Sequence, residues 1–505
     1  MKTKYIWLLA VALSFTACNS DDDSSSSTEE VLPPLTAGSA TFSNYVALGA
    51  SFTAGYSDGA LFIAGQENSF PNILSNQFAN IGGGTFSQPL MNDNTGAMLF
   101  GAAPVAEYRL IFNGSGPERL NEFLADLGAP VPPPTTDASV NLMSTFNNVG
   151  VPGAKSFHLT LPGYGSLNPY FGRMASSATA TMLGDAADQN PTFFTLSEIG
   201  GNDVLSYATS GGIGVDQTGN FNPALYGSFD ITDPTVFGQV FDGIVAQLTA
   251  NNAQGVIANV PYVTSLPYFT TVPYNPIPLD AATAGAVNSA YATYNATVQA
   301  LVGVPPVMMT QEEADSRMIN FEAGEGNAVV IMDEDLSDLT VYDPALVSMR
   351  QATSDDLIVL LASSFIGTEA VPGNPLTVNG VAIPLADNWV LTSTEVQAVL
   401  TATDAYNAAI NNARDTYGLA LVDFKSILEQ ASTSGIASGN FILTTDLVTG
   451  GLVSLDGVHL TSRGYAVMAN EIMKAIDATY GSNFEASGSL VDAGDYPTNY
   501  SPTLQ

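Results

Sequence analysis

The chain is poor in the residues that carry most enzyme chemistry. It has a single cysteine, Cys18, and two histidines, His158 and His459, in 505 residues. One cysteine excludes any intrachain disulfide. Two histidines leave only two candidates for an imidazole base. Lysine and arginine together number 12 against 48 aspartates and glutamates, for a formal net charge of −36. No basic patch can be built from so few cations, which excludes a nucleic-acid partner and docking on anionic lipid through charge. No uninterrupted apolar run reaches the ~20 residues that a membrane-spanning helix needs.

What is present begins with an apolar stretch, Tyr5 to Phe15, behind Lys2 and Lys4 and ahead of Thr16-Ala17-Cys18. A basic start, a short apolar core and small residues before the cut describe a secretory signal over residues 1–17. Ser14-Phe15-Thr16-Ala17-Cys18 resembles a bacterial lipobox, with Phe15 in place of the usual Leu, and implies lipidation at Cys18. Asp21-Asp22-Asp23, Ser24 to Ser27 and Glu29-Glu30 are too polar to fold, so residues 18–41 read as an acidic, Ser-rich tether. Acidic residues just after the cysteine also resemble the export signal of surface lipoproteins in Bacteroidota. The expected location is therefore the outer membrane, lipid-anchored, with exposure at the cell surface left open. Because Lys2 and Lys4 leave with the signal, the remaining chain carries −36 − 2 = −38. Charge of that size keeps an anchored domain dispersed.

From Phe42 to Gly481 the composition is steady, and 46% of the chain is hydrophobic, ample for a large core. Tyr45 to Leu48, Thr192 to Leu196, Gly255 to Val260 and Leu419 to Phe424 read as strands buried on both faces. Helical patterns follow at Val240 to Ala250, Ala281 to Leu301, Thr392 to Tyr417 and Ser462 to Tyr480. This alternation predicts an α/β fold, a three-layer α/β/α sandwich on a mostly parallel sheet. Two stretches, about 86–139 and 303–389, are long for connections and are expected to be insertions, forming either a lid or a peripheral subdomain. Residues 482–505 are expected to run as a polar tail over the surface.

Parallel sheets carry their chemistry at the carboxyl ends of the strands. After the first strand comes Gly49-Ala50-Ser51-Phe52, which can expose a serine between small residues. After the next comes Asn148-Val149-Gly150-Val151-Pro152-Gly153, whose glycines can turn backbone N–H groups toward a ligand. After the third comes Gly200-Gly201-Asn202-Asp203, which can aim an amide at developing negative charge. Near the end stands Asp456-Gly457-Val458-His459, an acid placed to hold an imidazole. His158 has no acid at such a spacing. Each block has a plainer reading as a turn or a helix cap.

Together and in this order, the four blocks resemble those of the SGNH (or GDSL) hydrolases. The resemblance matches Gly49-Ala50-Ser51-Phe52 to the nucleophile turn and Gly153 to the oxyanion glycine. It matches Gly200-Gly201-Asn202-Asp203 to the Gly-x-Asn-Asp block and Asp456 with His459 to Asp-x-x-His. Ala50 stands where the family has Asp, and Leu460 where a Pro often follows the histidine. The resemblance implies a flavodoxin-like sheet and a serine esterase that works through an acyl-enzyme. Ser51 would be the nucleophile, His459 the base and Asp456 its orienter. Ser51 and Gly153 N–H groups and the Asn202 amide would form the oxyanion hole, with Asp203 structural. No cofactor and no metal are implied. The substrate would be a small-molecule or polymeric ester, an acyl-lipid or an O-acylated carbohydrate. Two other outcomes stay open: a catalytically silent surface lipoprotein that binds glycans or a partner, and an O-acyltransferase using the same site.

Overall fold

The computed structural model describes residues 32–504, so the signal, Cys18 and most of the tether lie outside it. Five strands form the central sheet: β1 (Tyr45–Gly49), β2 (Asn148–Gly150), β3 (Phe193–Leu196), β4 (Gln254–Ala258) and β5 (Ala420–Val422). All pair in parallel, in the spatial order β2-β1-β3-β4-β5. Ala47 aligns with Asn148 on one side and with Thr195 on the other. The protein is thus a mixed α/β fold whose helices pack the sheet and whose insertions add small sheets. Four of the five strands fall where apolar runs predict them. The exception is β2. Asn148-Val149-Gly150 is itself the three-residue edge strand, not part of the turn after one, and the turn proper begins at Val151.

The helices that matter to the site are α1 (Ser51–Ala54), α2 (Phe70–Ala79), α3 (Gly201–Thr209), α4 (Pro234–Thr249), α5 (Ala281–Ala300), α6 (Ser393–Tyr417), α7 (Phe424–Thr433) and α8 (Ser462–Tyr480). Their ends follow capping chemistry. Thr392 and Glu395 close a capping box at the start of α6, and Gly418 ends that helix in the left-handed region at φ 66°. Thr461 accepts the Gly464 N–H at the start of α8, and Gly481 ends it at φ 71°. α4, α6 and α3 pack one face of the sheet through Phe237, Phe241, Tyr406 and Val204, and α5 packs on the second insertion, where Tyr291 and Tyr294 donate to the carbonyls of Val381 and Met349. α8 and α2 pack the other through Phe78, Tyr465, Ile472 and Ile476.

Both long insertions are built of structured pieces. The first holds the strands Met98–Phe100, Ala103–Ala106 and Thr136–Asp137, the hairpin Leu110–Phe112 with Pro117–Arg119, and the helix Leu120–Asp126. The second pairs Val330–Met332 with Met349–Gln351 and Leu357–Ile358 with Val390–Leu391. Its side chains Ile319, Phe321, Ile331 and Leu346 belong to the same apolar core as α4 and α6. The C-terminal tail runs mostly over the surface but is pinned to the body at a few points. Phe484 and Ala493 are fully buried, Phe484 against Phe42 and Phe78. The guanidinium of the fully buried Arg109 donates to the carbonyls of Ser501 (2.7 Å) and Leu504 (3.0 Å). A polar sequence hid this because the tail is held by backbone carbonyls and a few apolar anchors.

Candidate active site

Ser51 follows β1 directly and opens α1, so its backbone N–H is the first of a helix and has no intrahelical acceptor. The side chain is 6% exposed, and its hydroxyl has no hydrogen-bond partner among the described residues. Gly49 just before it allows the tight approach. A Cβ there would lie 2.1 Å from Thr53 Oγ1 and 2.9 Å from Glu198 Oε1.

That glutamate is the residue the sequence reading missed. Glu198 follows β3, and its Oε1 accepts the Ala50 N–H at 2.5 Å and the Thr53 N–H at 3.0 Å. Its Oε2 accepts the Thr53 hydroxyl at 3.2 Å. The Ser51 turn, which has no carboxylate of its own at Ala50, receives one from the residue after the neighbouring strand. Burial pushes the Glu198 carboxyl up to about 7 against these bonds, which favour the anion. Glu198 also sits at φ 51°, a strained conformation for a non-glycine residue. A charged residue with a positive φ at the end of a buried strand marks a local requirement, but its partners are 145 and 148 positions away in the chain.

His459 lies in a loop that runs back against the Ser51 turn. Its Nδ1 is 2.8 Å from Asp456 Oδ2, and its Nε2 has no partner among the described residues. Asp456 is saturated with donors. Oδ1 accepts the N–H groups of Val458 (2.9 Å) and His459 (2.8 Å), and Oδ2 accepts that of Gly59 (2.9 Å). Burial alone would raise this carboxyl, but His459 and the backbone donors outweigh it and hold it well below the usual carboxylate range. Gly457 adopts φ 75°, and a Cβ there would meet the Tyr268 N at 2.9 Å. The loop closes on itself through Ser454 N–H to His459 O at 2.7 Å.

Several bonds hold the two loops together. Ser57 Oγ donates to Leu460 O at 2.9 Å, and the Asp58 N–H donates to Ser454 Oγ at 3.0 Å. The Leu455 N–H donates to Asp58 Oδ1 at 3.1 Å. The His459 ring lies 4.5 Å from that of Tyr56 and 5.6 Å from that of Phe52, centroid to centroid. Asp58 is a second residue that sequence reasoning missed. It is 1% exposed, sits at φ 52°, and has one carboxylate oxygen without a partner. Burial pushes its carboxyl up to about 7, and the charge of Asp456 adds to the effect.

Asn202 and Gly153 meet across α3. Asn202 Nδ2 donates to Ala154 O at 2.9 Å, which fixes the amide and leaves its second N–H free. Gly153 adopts φ 78°, and its backbone N–H has no acceptor among the described residues. Asp203, fully buried, accepts the Ser156 N–H (2.9 Å) and hydroxyl (2.6 Å), tying α3 to the Gly153 turn. His158 lies apart from Asp456. Its Nδ1 accepts the Lys155 N–H at 3.0 Å, and its ring stacks on Tyr164 at 4.5 Å. Burial, then the Lys155 charge, push it down to about 4.

Ser51 and Asn202 open onto a cleft of about 110 Å³ at the carboxyl ends of β4 and β5. Its walls are apolar, from Leu205, Val260, Val263, Leu428, Val467 and Met468. Among the described residues, no helix is long and apolar enough to cross a membrane. Comparison with family models, curated proteins and solved structures gives no match for this chain.

Proposed function

We propose that this protein is a serine esterase of the SGNH (GDSL) kind, acting on carboxylic esters with an extended apolar acyl chain. The observation that carries the reading is the Asp456–His459 pair, with its free Nε2, laced to the turn that presents Ser51. A carboxylate on Nδ1 fixes the tautomer in which Nε2 can accept a proton and stabilises the imidazolium that results. His459 would take the Ser51 proton as Oγ attacks the ester carbonyl. The tetrahedral oxyanion would be met by the Ser51 and Gly153 N–H groups and the second Asn202 N–H, donors left without other acceptors. His459 would then protonate the leaving alcohol. A water activated by the same nitrogen would release the acid from Ser51.

The apolar cleft supports the choice of substrate. An acetyl group would meet little of the apolar lining beyond Ser51, whereas each methylene of a longer chain buried against Val260, Leu428 and Met468 contributes about 0.8 kcal/mol. The anchor expected at Cys18 would hold this site at a membrane surface, where such esters are found.

Hydrolysis of p-nitrophenyl acetate, octanoate and palmitate, beside the Ser51→Ala variant, tests both parts. Turnover that rises with chain length and vanishes in the variant is the expected result. Turnover confined to acetate would remove the acyl-cleft assignment and keep the esterase. No turnover above the variant on any chain length would leave the binding lipoprotein as the better reading.

A further inference from the structure

Away from Ser51, three carboxylates converge. Glu334, Asp387 and Glu395 each bring one oxygen within 4.8 Å of the others. They come from different places in the chain. Glu334 follows the strand Val330–Met332 of the second insertion, Asp387 starts the turn Asp387–Trp389, and Glu395 lies in the first turn of α6. Among the described residues, no lysine or arginine pairs with any of the three. Arg350 nearby is committed to Asp333 and Asp356, each at 2.6 Å.

Glu395 shows that this is more than a crowded acidic surface. It is 4% exposed. Its Oε2 accepts the Thr392 N–H (2.7 Å) and hydroxyl (2.9 Å), which completes the helix cap. Among the described residues, its Oε1 is buried with no N–H or hydroxyl donor, as is Asp387 Oδ1. Capping α6 needs only one oxygen, so it does not account for a second one buried bare beside two further carboxylates. An unpaired buried charge is costly enough that such groups are normally paired or bound to a metal. The backbone is also shaped around Oε1. A Cβ on Gly212, which has φ 81°, would lie 1.6 Å from it.

We propose that Glu334, Asp387 and Glu395 bind a divalent cation, and that the cation is calcium. The donors are all hard oxygens with no histidine or thiolate, which selects against zinc and copper. Calcium accepts irregular sets of protein carboxylates at about 2.4 Å, whereas magnesium demands near-octahedral geometry and keeps several of its waters. The ion would join the second insertion to α6 and to the Gly211–Gly212 turn that follows α3, the helix that begins with Gly201 and Asn202. Its role is to fasten the insertion to that helix. This revises the expectation that no metal is bound, and it does not rest on the esterase reading.

The sequence provides a reporter. Trp389 is two residues from Asp387, and the only other tryptophan is Trp7. The full chain, stripped with EDTA, is titrated with terbium(III) while tryptophan is excited, then with calcium or magnesium as competitor. Thermal unfolding is followed in EDTA and in calcium. Sensitised emission should saturate at one ion per chain, fall on addition of calcium, and fall far less with equal magnesium. Calcium should raise Tm by several degrees. Glu334→Gln, the change at the exposed member of the group, should weaken calcium at least tenfold without lowering Tm in EDTA, and Glu395→Gln should weaken it further. Emission that does not saturate, a Tm indifferent to calcium, or a Glu334→Gln variant that binds calcium like the parent would each overturn the proposal.

Discussion

The two histidines of this chain are arranged in opposite senses. His459 has a carboxylate on Nδ1, Asp456, and an Nε2 left open beside the Ser51 turn. His158 has a backbone N–H donating to Nδ1, a stacked tyrosine against one face, and Lys155 nearby. An acceptor at Nδ1 favours an imidazole that gains a proton; a donor at Nδ1 favours one that does not. The first is organised for proton transfer and the second for packing. What separates them is the hydrogen-bond polarity of one ring atom, with burial pushing His158 further toward the neutral form.

The largest test of this contrast is removal of the open nitrogen. His459→Ala should lower kcat by about 10⁶-fold on the preferred p-nitrophenyl ester, with KM little changed, because the base acts only in the transition state. Far-UV circular dichroism should match the parent. If the variant retains a tenth of parental turnover, His459 is not the base. Next is the carboxylate. Asp456→Asn keeps the shape but offers an amide that can donate to Nδ1 and trap the wrong tautomer, which should cost about 10⁴-fold in kcat. It thereby makes His459 resemble His158 at that atom.

Which of these roles a sequence can disclose depends on how far apart the partners are. Asp456 and His459 are three residues apart, so their pairing was legible as a motif. The strands β1, β3, β4 and β5 were legible because each is a continuous apolar run buried on both faces, and α6 and α8 because threonines cap them and glycines end them. β2 was displaced because three residues are too few to show a pattern. Glu198 and Asp58 were invisible for a different reason. Glu198 serves Ala50 and Thr53, and Asp58 serves Ser454 and Leu455, contacts that exist only once the sheet has formed.

Glu198 offers a smaller test that sharpens the assignment of His459. Its carboxyl, pushed up to about 7, titrates in the range where free imidazole also does, so a pH–rate profile alone does not distinguish them. The sign is set by the raised value. The folded protein holds this proton more tightly than the unfolded chain, so the contribution to stability is complete below about 4.5 and is lost as pH rises through about 7. Asp58, also raised to about 7, acts in the same direction. Urea unfolding should therefore show stability falling between pH 5 and pH 8 by on the order of 3 kcal/mol per group at most. Glu198→Gln should flatten that slope while keeping a carbonyl oxygen to accept from Ala50 and Thr53. A slope unchanged in Glu198→Gln would show that the group does not titrate in this window.

The smallest expected effect belongs to His158. Its ring already accepts a hydrogen bond at Nδ1, is pushed down to about 4, and lines a depression with Gly153, Lys155 and Asn202 rather than the apolar cleft. It is neutral at every pH at which the esterase is expected to work, so it has no proton to give and a nitrogen that is already occupied. His158→Gln can restore an acceptor for the Lys155 N–H but loses the stack on Tyr164, an interaction of about 0.5–1.5 kcal/mol. The expected outcome is a Tm lower by about 1 °C and a kcat within about twofold of the parent. The two readouts must part company for the contrast to hold. A fall in kcat of a hundredfold or more with Tm preserved would make His158 a participant in the chemistry, and the polarity of the Nδ1 bond would no longer tell the two histidines apart.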